Sequence, residues 1–351
     1  MASAVNTGGG ITLITGATGF IGRHCVRALL KTGARLRIFC RDPEKARRLF
    51  GAEVEIVEGD LLKPASLAAA CHGVQTVFNL AGSYEFGPAH RKEMWRVNVE
   101  GTEHLLAACW RARVERVVHG STAGILSASG RLIRASDFPR RPPPVCHYKQ
   151  SKWHGETRAL HWASRGLPVV IASPTAPVGA EDERPTPTGR MFLDLLRGRF
   201  PACTRTGLNI IAVHDLAAAV LAVGRKGQIG QRYVLGGENI WLKDLMAMAA
   251  KAGHCAAPRL TVPWVAVALG GLAGEVWGRI SGARDGRLCW ETAYFARKRQ
   301  FFDLDPTFAE LGWRPEITTE AAVAEAMNWF ADFSVRTSTA QVAAEFPPLS
   351  P

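Results

Sequence analysis

The sequence predicts an α/β fold in which a doubly wound parallel sheet carries a smaller, mostly helical C-terminal part. Short β-branched runs alternate with helical patterns through the first half of the chain, which is typical of βαβ units. A glycine-rich turn directly follows the first of these runs. Beyond Pro174 the alternation weakens and longer helical patterns dominate, which indicates a second, differently built unit.

The strands of the sheet are predicted from short apolar runs, which suit buried parallel strands. They are 11–15, 36–40, 54–58, 76–80, 116–121 and 169–172. Helical patterns lie between them at 21–32, 65–72 and 91–113, and another helix should begin near Tyr148, after a proline-rich loop at 139–145. Later we expect a loop at 181–189, strands at 210–213 and 232–235, and a helix that is capped by Asp215 and runs to Val223. Residues 240–300 should be mainly helical, and a last helix is expected at 319–333.

These elements divide the chain into two units. Residues 1–179 form the sheet-based unit, to which 207–236 should return. Residues 180–206 and 237–333 form the second unit, which is the expected place for a substrate. Residues 334–351 are polar and then proline-rich, and we expect a loosely held tail there.

Composition excludes several classes of protein. The 351 residues are 47% hydrophobic, which is enough for a large core and excludes global disorder. The net charge of +12 comes from scattered basic residues without interleaved aromatics, a pattern that argues against a nucleic-acid partner. The eight cysteines form no C-x-x-C pair and no cluster with histidine, so neither a metal site nor a disulfide framework is expected.

Two further patterns bear on location. The N-terminus lacks the basic and apolar regions of a signal peptide, and no apolar run is long enough to span a membrane. We therefore expect a cytoplasmic protein. The segment 263–279 is apolar and flanked by tryptophan; a core helix is the favoured interpretation, and a homodimer contact or a peripheral membrane contact are the alternatives.

The glycine-rich turn, Gly16-Ala-Thr18-Gly19-Phe20-Ile21-Gly22, has the spacing of a dinucleotide-binding turn between a strand and a helix. Gly16 permits the tight turn, Gly19 lets the backbone approach a pyrophosphate, and Gly22 allows the helix to pack on the strand. The N-terminus of the helix then offers N–H donors to the phosphates. The turn predicts a Rossmann-like unit that binds NAD or NADP.

The end of the second strand chooses between these cofactors. An acidic residue there binds the ribose 2′-hydroxyl of NAD, whereas an arginine accommodates the 2′-phosphate of NADP. The sequence has Arg41 at this point, followed by Asp42. We favour NADPH, while NAD remains open because Asp42 can turn inward. After the third strand, Asp60 either accepts a hydrogen bond from the adenine or caps the next helix.

A catalytic motif follows downstream. Tyr148 and Lys152 form Y-x-x-x-K, and four residues place both side chains on one face of a helix. We expect the tyrosine to be the general acid or base, the lysine ammonium to lower its pKa, and the lysine to hold the nicotinamide ribose. Thr122, at the end of the fifth strand, can orient a carbonyl oxygen, although a local backbone role is common for such residues.

Together these motifs resemble the extended short-chain dehydrogenase/reductase superfamily over residues 11 to 333. The segments that carry the resemblance are Gly16–Gly22, Asp60, Asn79–Gly82, Asn98–Thr102, Ser121-Thr122 and Tyr148/Lys152. The resemblance implies a catalytic set of Thr122, Tyr148 and Lys152. It implies that the cofactor contacts Gly16, Thr18, Gly19, Phe20, Ile21, Gly22, Arg41, Asp60, Leu61, Ala81, Gly82, Tyr148, Lys152 and Pro174, and that substrate contacts include Ser83, Tyr84 and Thr122.

Two branches of the superfamily compete. The segments 39–43 and 174–179 resemble the dihydroflavonol-reductase-like branch. Segments 184–190, 207–210, 233–239 and 296–298 are similar to bacterial hopanoid-associated sugar epimerases. Sugar-nucleotide epimerases usually carry R-x-x-N where Ser173 and Ala176 stand here, so the asparagine that grips their substrate is missing.

We therefore expect an NADPH-dependent reductase of an aldehyde or ketone on a largely apolar small molecule, with an isoprenoid or hopanoid as the class that the resemblance suggests. The alternative is an NAD(P)-dependent sugar epimerase or dehydratase associated with hopanoid biosynthesis. A third possibility, from another class, is a non-catalytic NADP-binding module.

Overall fold

The computed structural model describes residues 10–84, 90–144, 146–269 and 299–345. The strands are β1 Ile11–Thr15, β2 Arg35–Cys40, β3 Glu55–Glu58, β4 Val74–Asn79, β5 Arg116–Gly120, β6 Val169–Pro174, β7 Ala176–Val178, β8 Ala202–Cys203, β9 Gly207–Ala212, β10 Arg232–Leu235, β11 Glu238–Trp241 and β12 Leu260–Thr261. The helices are α1 Phe20–Leu30, α2 Pro43–Phe50, α3 Pro64–Cys71, α4 Arg91–Trp95, α5 Thr102–Arg111, α6 His147–Ser164, α7 Pro187–Leu196, α8 Val213–Lys226, α9 Leu242–Ala252, α10 Asp305–Leu311 and α11 Thr319–Glu345.

Seven strands form one parallel sheet in the order β10-β6-β5-β4-β1-β2-β3. This confirms the predicted doubly wound α/β fold. Apolar residues on each face of the sheet pack against helices. One layer holds α1 and α8, and the other holds α3, α5 and α6. Because the strands are parallel, their carboxyl ends meet at one edge, which is where ligands bind in such sheets.

The second unit has its own apolar core. Helices α7, α9 and α11 pack against a three-stranded sheet ordered β11-β9-β7, with Leu245, Met327 and Phe330 fully buried between them. The unit is therefore helical with a small sheet, whose strands β7 and β11 are absent from the sequence-based prediction. The helical segment predicted within 240–300 is described at 242–252 and 264–269; residues 270–298 lie outside the described part of the chain.

Several predicted boundaries are wrong. The return of 207–236 to the large unit holds for α8 and β10, but β9 pairs with β7 and β11 in the small sheet. An apolar run does not reveal which sheet a strand joins, and here Asn209 in β9 donates to Asn239 in β11, 2.9 Å away. The loop predicted at 181–189 ends early, because Thr186 caps α7 and Pro187 suits its first turn.

Two helix ends also differ from the prediction. Asp215 lies in the first turn of α8 and accepts from the backbone N–H groups of Glu316 and Ile317, at 3.1 and 2.8 Å, instead of capping the helix. Helix α11 continues past Phe333 to Glu345, where a loose tail was expected. The added segment contains neither proline nor glycine, so nothing in it interrupts a helix.

Candidate active site

The glycine-rich turn lies between β1 and α1, at the carboxyl edge of the large sheet. Gly16 has φ +71°, a conformation that favours glycine, and a Cβ on Gly22 would lie 2.1 Å from the carbonyl oxygen of Gly16. Gly19 is exposed at the start of α1, and Thr18, Phe20 and Ile21 complete the turn and the first helical positions. The close backbone packing and the bare helix N-terminus fit the pyrophosphate of a dinucleotide.

The end of β2 shows which side chain is available to the cofactor. Asp42 is the N-cap of α2, and its Oδ1 accepts from the backbone N–H of Lys45 at 2.9 Å. Arg41 is exposed, and its guanidinium is 3.9 Å from Glu93. One carboxylate oxygen of Asp42 is therefore engaged in the helix cap, and the guanidinium of Arg41 is the exposed cation at this position.

A buried hydrogen-bond network supports the carboxyl edge of the large sheet beside the glycine-rich turn, which we call the cofactor groove. Thr15 Oγ1 donates to Asn79 Oδ1 at 2.8 Å, and the Ala81 backbone N–H donates to Thr15 Oγ1 at 3.3 Å. Asn79 also contacts His119 at 3.1 Å, and burial together with the charge of Lys152 lowers the pKa of His119 to about 3. The network fixes the end of β4, from which Ala81 and the exposed Gly82 enter the groove.

The remaining predicted cofactor contacts lie around the same edge. Asp60 Oδ1 accepts from the Leu62 backbone N–H at 2.9 Å, so it ties the turn after β3 and does not cap α3, whose N-cap is Lys63. Leu61 is buried beside it, and Pro174 is buried at the end of β6.

The three predicted catalytic side chains converge at the ends of β5 and α6. Thr122 lies two residues after the end of β5, and its hydroxyl is hydrogen-bonded to the phenol of Tyr148. Lys152, one turn further along α6, donates from Nζ to the Gly120 carbonyl at 2.6 Å. A Cβ placed on Gly82 would lie 3.7 Å from Lys152 Nζ, so the ammonium faces the groove.

The electrostatics of Tyr148 differ from the prediction. Burial raises its pKa to about 12, and the hydrogen bond with Thr122 opposes that rise only in part. The expected lowering by Lys152 is wrong for this structure, because the ammonium of Lys152 is directed to a backbone carbonyl and desolvation dominates at the phenol. Tyr148 is therefore a protonated phenol here, which is the form that donates a proton.

Lys152 is buried, and this desolvation lowers its pKa to about 8, while the negative charge of Glu156 acts in the opposite direction. Glu156 is fully buried, receives a hydrogen bond from the Ser121 hydroxyl and forms an ion pair with Arg232. Glu156 was not among the predicted site residues. Its spacing could have revealed it, because it follows Lys152 by four residues on the same helix face.

Asn98, which the prediction also left out of the site, holds the loop after β4 in position. Asn98 lies in a π-helical segment, Arg96–Gly101, that joins α4 to α5. Its side chain accepts from the Ser83 backbone N–H and donates to the Ser83 carbonyl, both at 2.8 Å, and it donates to Ser151 on α6 at 2.9 Å. Through these hydrogen bonds Asn98 links the predicted substrate contact Ser83 to the catalytic helix. Segments of π-helix are rare and often functional.

Residues 179–186, which we call the acidic strap, cross from the second unit to the glycine turn. Glu181 has φ +69° and receives two hydrogen bonds from Arg27, at 2.6 and 3.0 Å. Glu183 binds Arg23 at 2.9 Å and Lys45 at 2.7 Å, and these partners lower the pKa of Glu183 to about 2. The phenol of Tyr84 donates to the Arg184 carbonyl at 2.6 Å. The strap thus contacts α1, α2 and the loop after β4.

The parallel sheet, the glycine turn and the Thr122, Tyr148 and Lys152 set define a nicotinamide-dependent oxidoreductase of the extended short-chain dehydrogenase/reductase type. The family model described as the NAD dependent epimerase/dehydratase family matches residues 12–236, and the chain belongs to that family. Its cofactor is accordingly a nicotinamide dinucleotide.

Relatives named as reductases and a solved structure named as an epimerase are both found. A putative dihydroflavonol 4-reductase of Synechocystis sp. is 33% identical over 324 residues, covering 90% of this chain and 93% of the relative. Sterol demethylase protein B of Methylococcus capsulatus is 32% identical over 323 residues, covering 91% and 98%. The solved structure of a nucleoside-diphosphate-sugar epimerase from Pseudomonas aeruginosa is 25% identical, with a TM-score of 0.76 and coverage of 93% and 98%.

The described residues hold no group of three histidine, cysteine, aspartate or glutamate side chains placed to bind a metal ion. Within the same ranges, no helix has the length and apolar character needed to cross a membrane.

Proposed function

We propose that this protein is an NADPH-dependent reductase of an aldehyde or ketone on a largely apolar molecule. The observation that carries the proposal is at the end of β2. Asp42 is engaged in the cap of α2, while Arg41 exposes its guanidinium where a ribose 2′-phosphate would need a cation. A preference for NADPH fits a cofactor that binds, reacts and leaves, as reduction requires.

Each predicted catalytic residue has a distinct role in the proposed reduction. The bound nicotinamide supplies a hydride to the carbonyl carbon. Thr122 and Tyr148 hold the carbonyl oxygen between their hydroxyls, and Tyr148 transfers its phenolic proton to that oxygen. Lys152 Nζ lies at the groove beside the Gly120 carbonyl, where the ammonium would hold the nicotinamide ribose. Glu156 favours the charged form of Lys152.

The apolar character of the substrate rests on two lines of support. Sterol demethylase protein B carries the name of a sterol enzyme and covers nearly the whole chain. Ser173 and Ala176 stand where sugar-nucleotide epimerases usually carry arginine and asparagine, so the asparagine that grips a sugar nucleotide is missing there. The hopanoid or isoprenoid class remains a prediction from resemblance.

The second candidate is a sugar epimerase or dehydratase that retains its cofactor. The likeness to the nucleoside-diphosphate-sugar epimerase favours it. A retained cofactor would copurify with the protein and support turnover without addition, which a reductase does not do. The third expectation, a non-catalytic module, has no support from the complete Thr122, Tyr148 and Lys152 set.

The experiment that tests the proposal measures the affinities of NADPH and NADH for the wild type, Arg41→Ala and Arg48→Ala. Arg48 is an exposed arginine on α2 and serves as the matched control. We expect the wild type and the control to prefer NADPH, and Arg41→Ala to lose about tenfold in NADPH affinity with little change for NADH. Tightly bound NAD in the purified protein, unaffected by Arg41→Ala, would support the epimerase instead.

Contact with a membrane or a second subunit through 263–279 stays a prediction. The described part of this segment includes exposed Trp264, Val265 and Leu269. Residues 270–279 lie outside the described ranges.

A further inference from the structure

A cleft of about 390 Å³ lies beside the catalytic residues. One wall is the short helical turn Ala123–Ile125 that follows Thr122, and the other is the proline-rich loop before α6. Its lining comprises Gly124, Ile125, Leu126, Ser127, Pro139, Arg140, Arg141, Pro142, Pro143, Pro144 and Lys149. Gly124 donates from its backbone N–H to the Thr122 hydroxyl at 3.1 Å, and Lys149 follows Tyr148 directly. The lining of the cleft therefore reaches the Thr122 hydroxyl through Gly124.

The charge of this cleft has one sign. Three of its lining residues, Arg140, Arg141 and Lys149, are cationic, and none is acidic. Lys149 is buried, with 3% of its surface exposed. Asp137, close in sequence, is engaged by two hydrogen bonds from Arg131 and by the Arg134 backbone N–H at 2.8 Å, which lower its pKa. Its charge is thus compensated outside the cleft.

The loop that carries the two arginines is anchored. The Trp153 indole donates to the Pro139 carbonyl at 2.8 Å, and the ring of Trp153 stacks on Phe138 with centroids 5.8 Å apart. The guanidinium of Arg232 also lies over the Phe138 ring, 4.2 Å from the ring centroid. At the far end of the loop, the Cys146 backbone N–H donates to the Pro144 carbonyl at 3.0 Å. The loop is therefore held against α6 by Trp153 at Pro139, and it leads directly into α6 at Cys146.

We propose that this cleft binds the anionic group of an amphipathic substrate, so that the reductase acts on a carbonyl compound that bears a carboxylate or a phosphate beside an apolar chain. The cations supply charge complementarity, since guanidinium groups pair bidentately with both oxyanions. Ile125, Leu126 and the prolines supply the apolar contact. This inference rests on the proposed function, which it makes more specific.

The test measures binding, without turnover, by calorimetry on the protein as purified. The probes are octyl phosphate, octanoate, octan-1-ol and inorganic phosphate. We expect octyl phosphate and octanoate to bind at least about tenfold more tightly than octan-1-ol, because only they pair with the arginines. The ratio of the two anionic probes tells a phosphate from a carboxylate site. Inorganic phosphate should bind far more weakly than octyl phosphate, because it lacks the chain.

The variants locate the effect. Arg140→Gln/Arg141→Gln should lose about tenfold in octyl phosphate affinity, whereas Arg111→Gln/Arg225→Gln, which removes two exposed charges elsewhere, should lose little. Arg140→Lys/Arg141→Lys keeps the charges but not the bidentate pairing, so it should recover part of the lost affinity, and this recovery guards against misfolding of the first variant. Equal binding of octan-1-ol, equal binding of inorganic phosphate, or equal losses in the first two variants would overturn the inference.

Failure of the reductase proposal would be visible elsewhere, as an absent NADPH preference or absent NADPH oxidation. The binding test does not depend on either of these results.

Discussion

The protonation of the Tyr148 phenol, which is hydrogen-bonded to Thr122, determines whether it can donate or accept a proton. Because burial raises the pKa of Tyr148 to about 12, the phenol is protonated across the physiological range. Donation to a carbonyl oxygen is then the step for which it is prepared. The reverse reaction, alcohol oxidation, would require the phenolate and would need conditions that lower the pKa of Tyr148.

Tyr148→Phe removes the proton donor and keeps the ring. We expect kcat to fall by about 10²–10⁴-fold, which is the usual contribution of a general acid, while NADPH affinity stays near the wild-type value. Stopped-flow oxidation of NADPH and a parallel binding titration would check this. A variant with wild-type kcat would contradict the assignment of Tyr148 as the acid.

Glu156 acts on the same chemistry through Lys152. Its charge raises the pKa of the lysine, against the larger lowering by burial that leaves it at about 8. Removing the charge in Glu156→Gln should lower the pKa of Lys152 further, so the ammonium is lost at a lower pH. The alkaline limb of the NADPH-binding profile should therefore move to lower pH.

Ser121→Ala is the matched control for Glu156→Gln, because it removes the hydrogen bond to Glu156 and leaves the carboxylate. We expect its alkaline limb to stay close to that of the wild type. Identical profiles for the wild type and Glu156→Gln would show that Glu156 has only a structural role.

At the scale of elements, the acidic strap connects the second unit to the cofactor groove. Glu183 holds Lys45, which lies in the first turn of α2 close to Arg41. A cation held by an internal carboxylate is less available to a phosphate of the cofactor. With NADPH as the proposed cofactor, we expect the strap to compete with the 2′-phosphate for the charge of Lys45.

Glu183→Gln should release Lys45 and Arg23, and we expect NADPH to bind several-fold more tightly, with a smaller change for NADH. The gain should shrink at high salt, where the released charges are screened. Titrations at two salt concentrations would measure both effects. Weaker NADPH binding would show that the strap closes the groove and does not compete with the cofactor.

The elements that the sequence predicts well are the buried ones. Strands β1 and β6 are apolar runs that are largely buried, and each of β1 to β6 lies within a few residues of its predicted range. The small sheet was missed because β7 and β11 are short and contain proline or asparagine. At the site, Thr122, Tyr148 and Lys152 do come together, but the direction of the Lys152 ammonium and the desolvation of Tyr148 depend on three-dimensional packing that spacing does not reveal.

At the scale of the whole molecule, two cores support one site. The cofactor groove belongs to the large sheet, whereas Leu245 and its neighbours fill a separate core between α7, α9 and α11. The segment after Pro174, which includes the acidic strap, connects the two cores. A ligand that binds only to the large unit should therefore stabilise the two cores unequally.

Leu245→Ala tests this arrangement. The side chain is fully buried, and such truncations usually cost about 2–5 kcal/mol in the free energy of unfolding. We expect urea unfolding to show that loss, and NADPH affinity to stay close to wild type because Leu245 is remote from the groove. A large loss of NADPH affinity would indicate that the second core shapes the groove directly.

The chain leaves the large sheet after β6, builds β7, α7, β8 and β9, and returns through α8 to form β10 beside β6. It then leaves again for β11 and α9. The first excursion starts and finishes close together, since a Cβ on Gly179, after β7, would lie 2.6 Å from the Val213 side chain at the start of α8. This excursion can therefore lengthen, shorten or be exchanged during evolution without disturbing the strands of the large sheet. Descendants of one ancestor can in this way acquire new substrates while inheriting an unaltered cofactor groove.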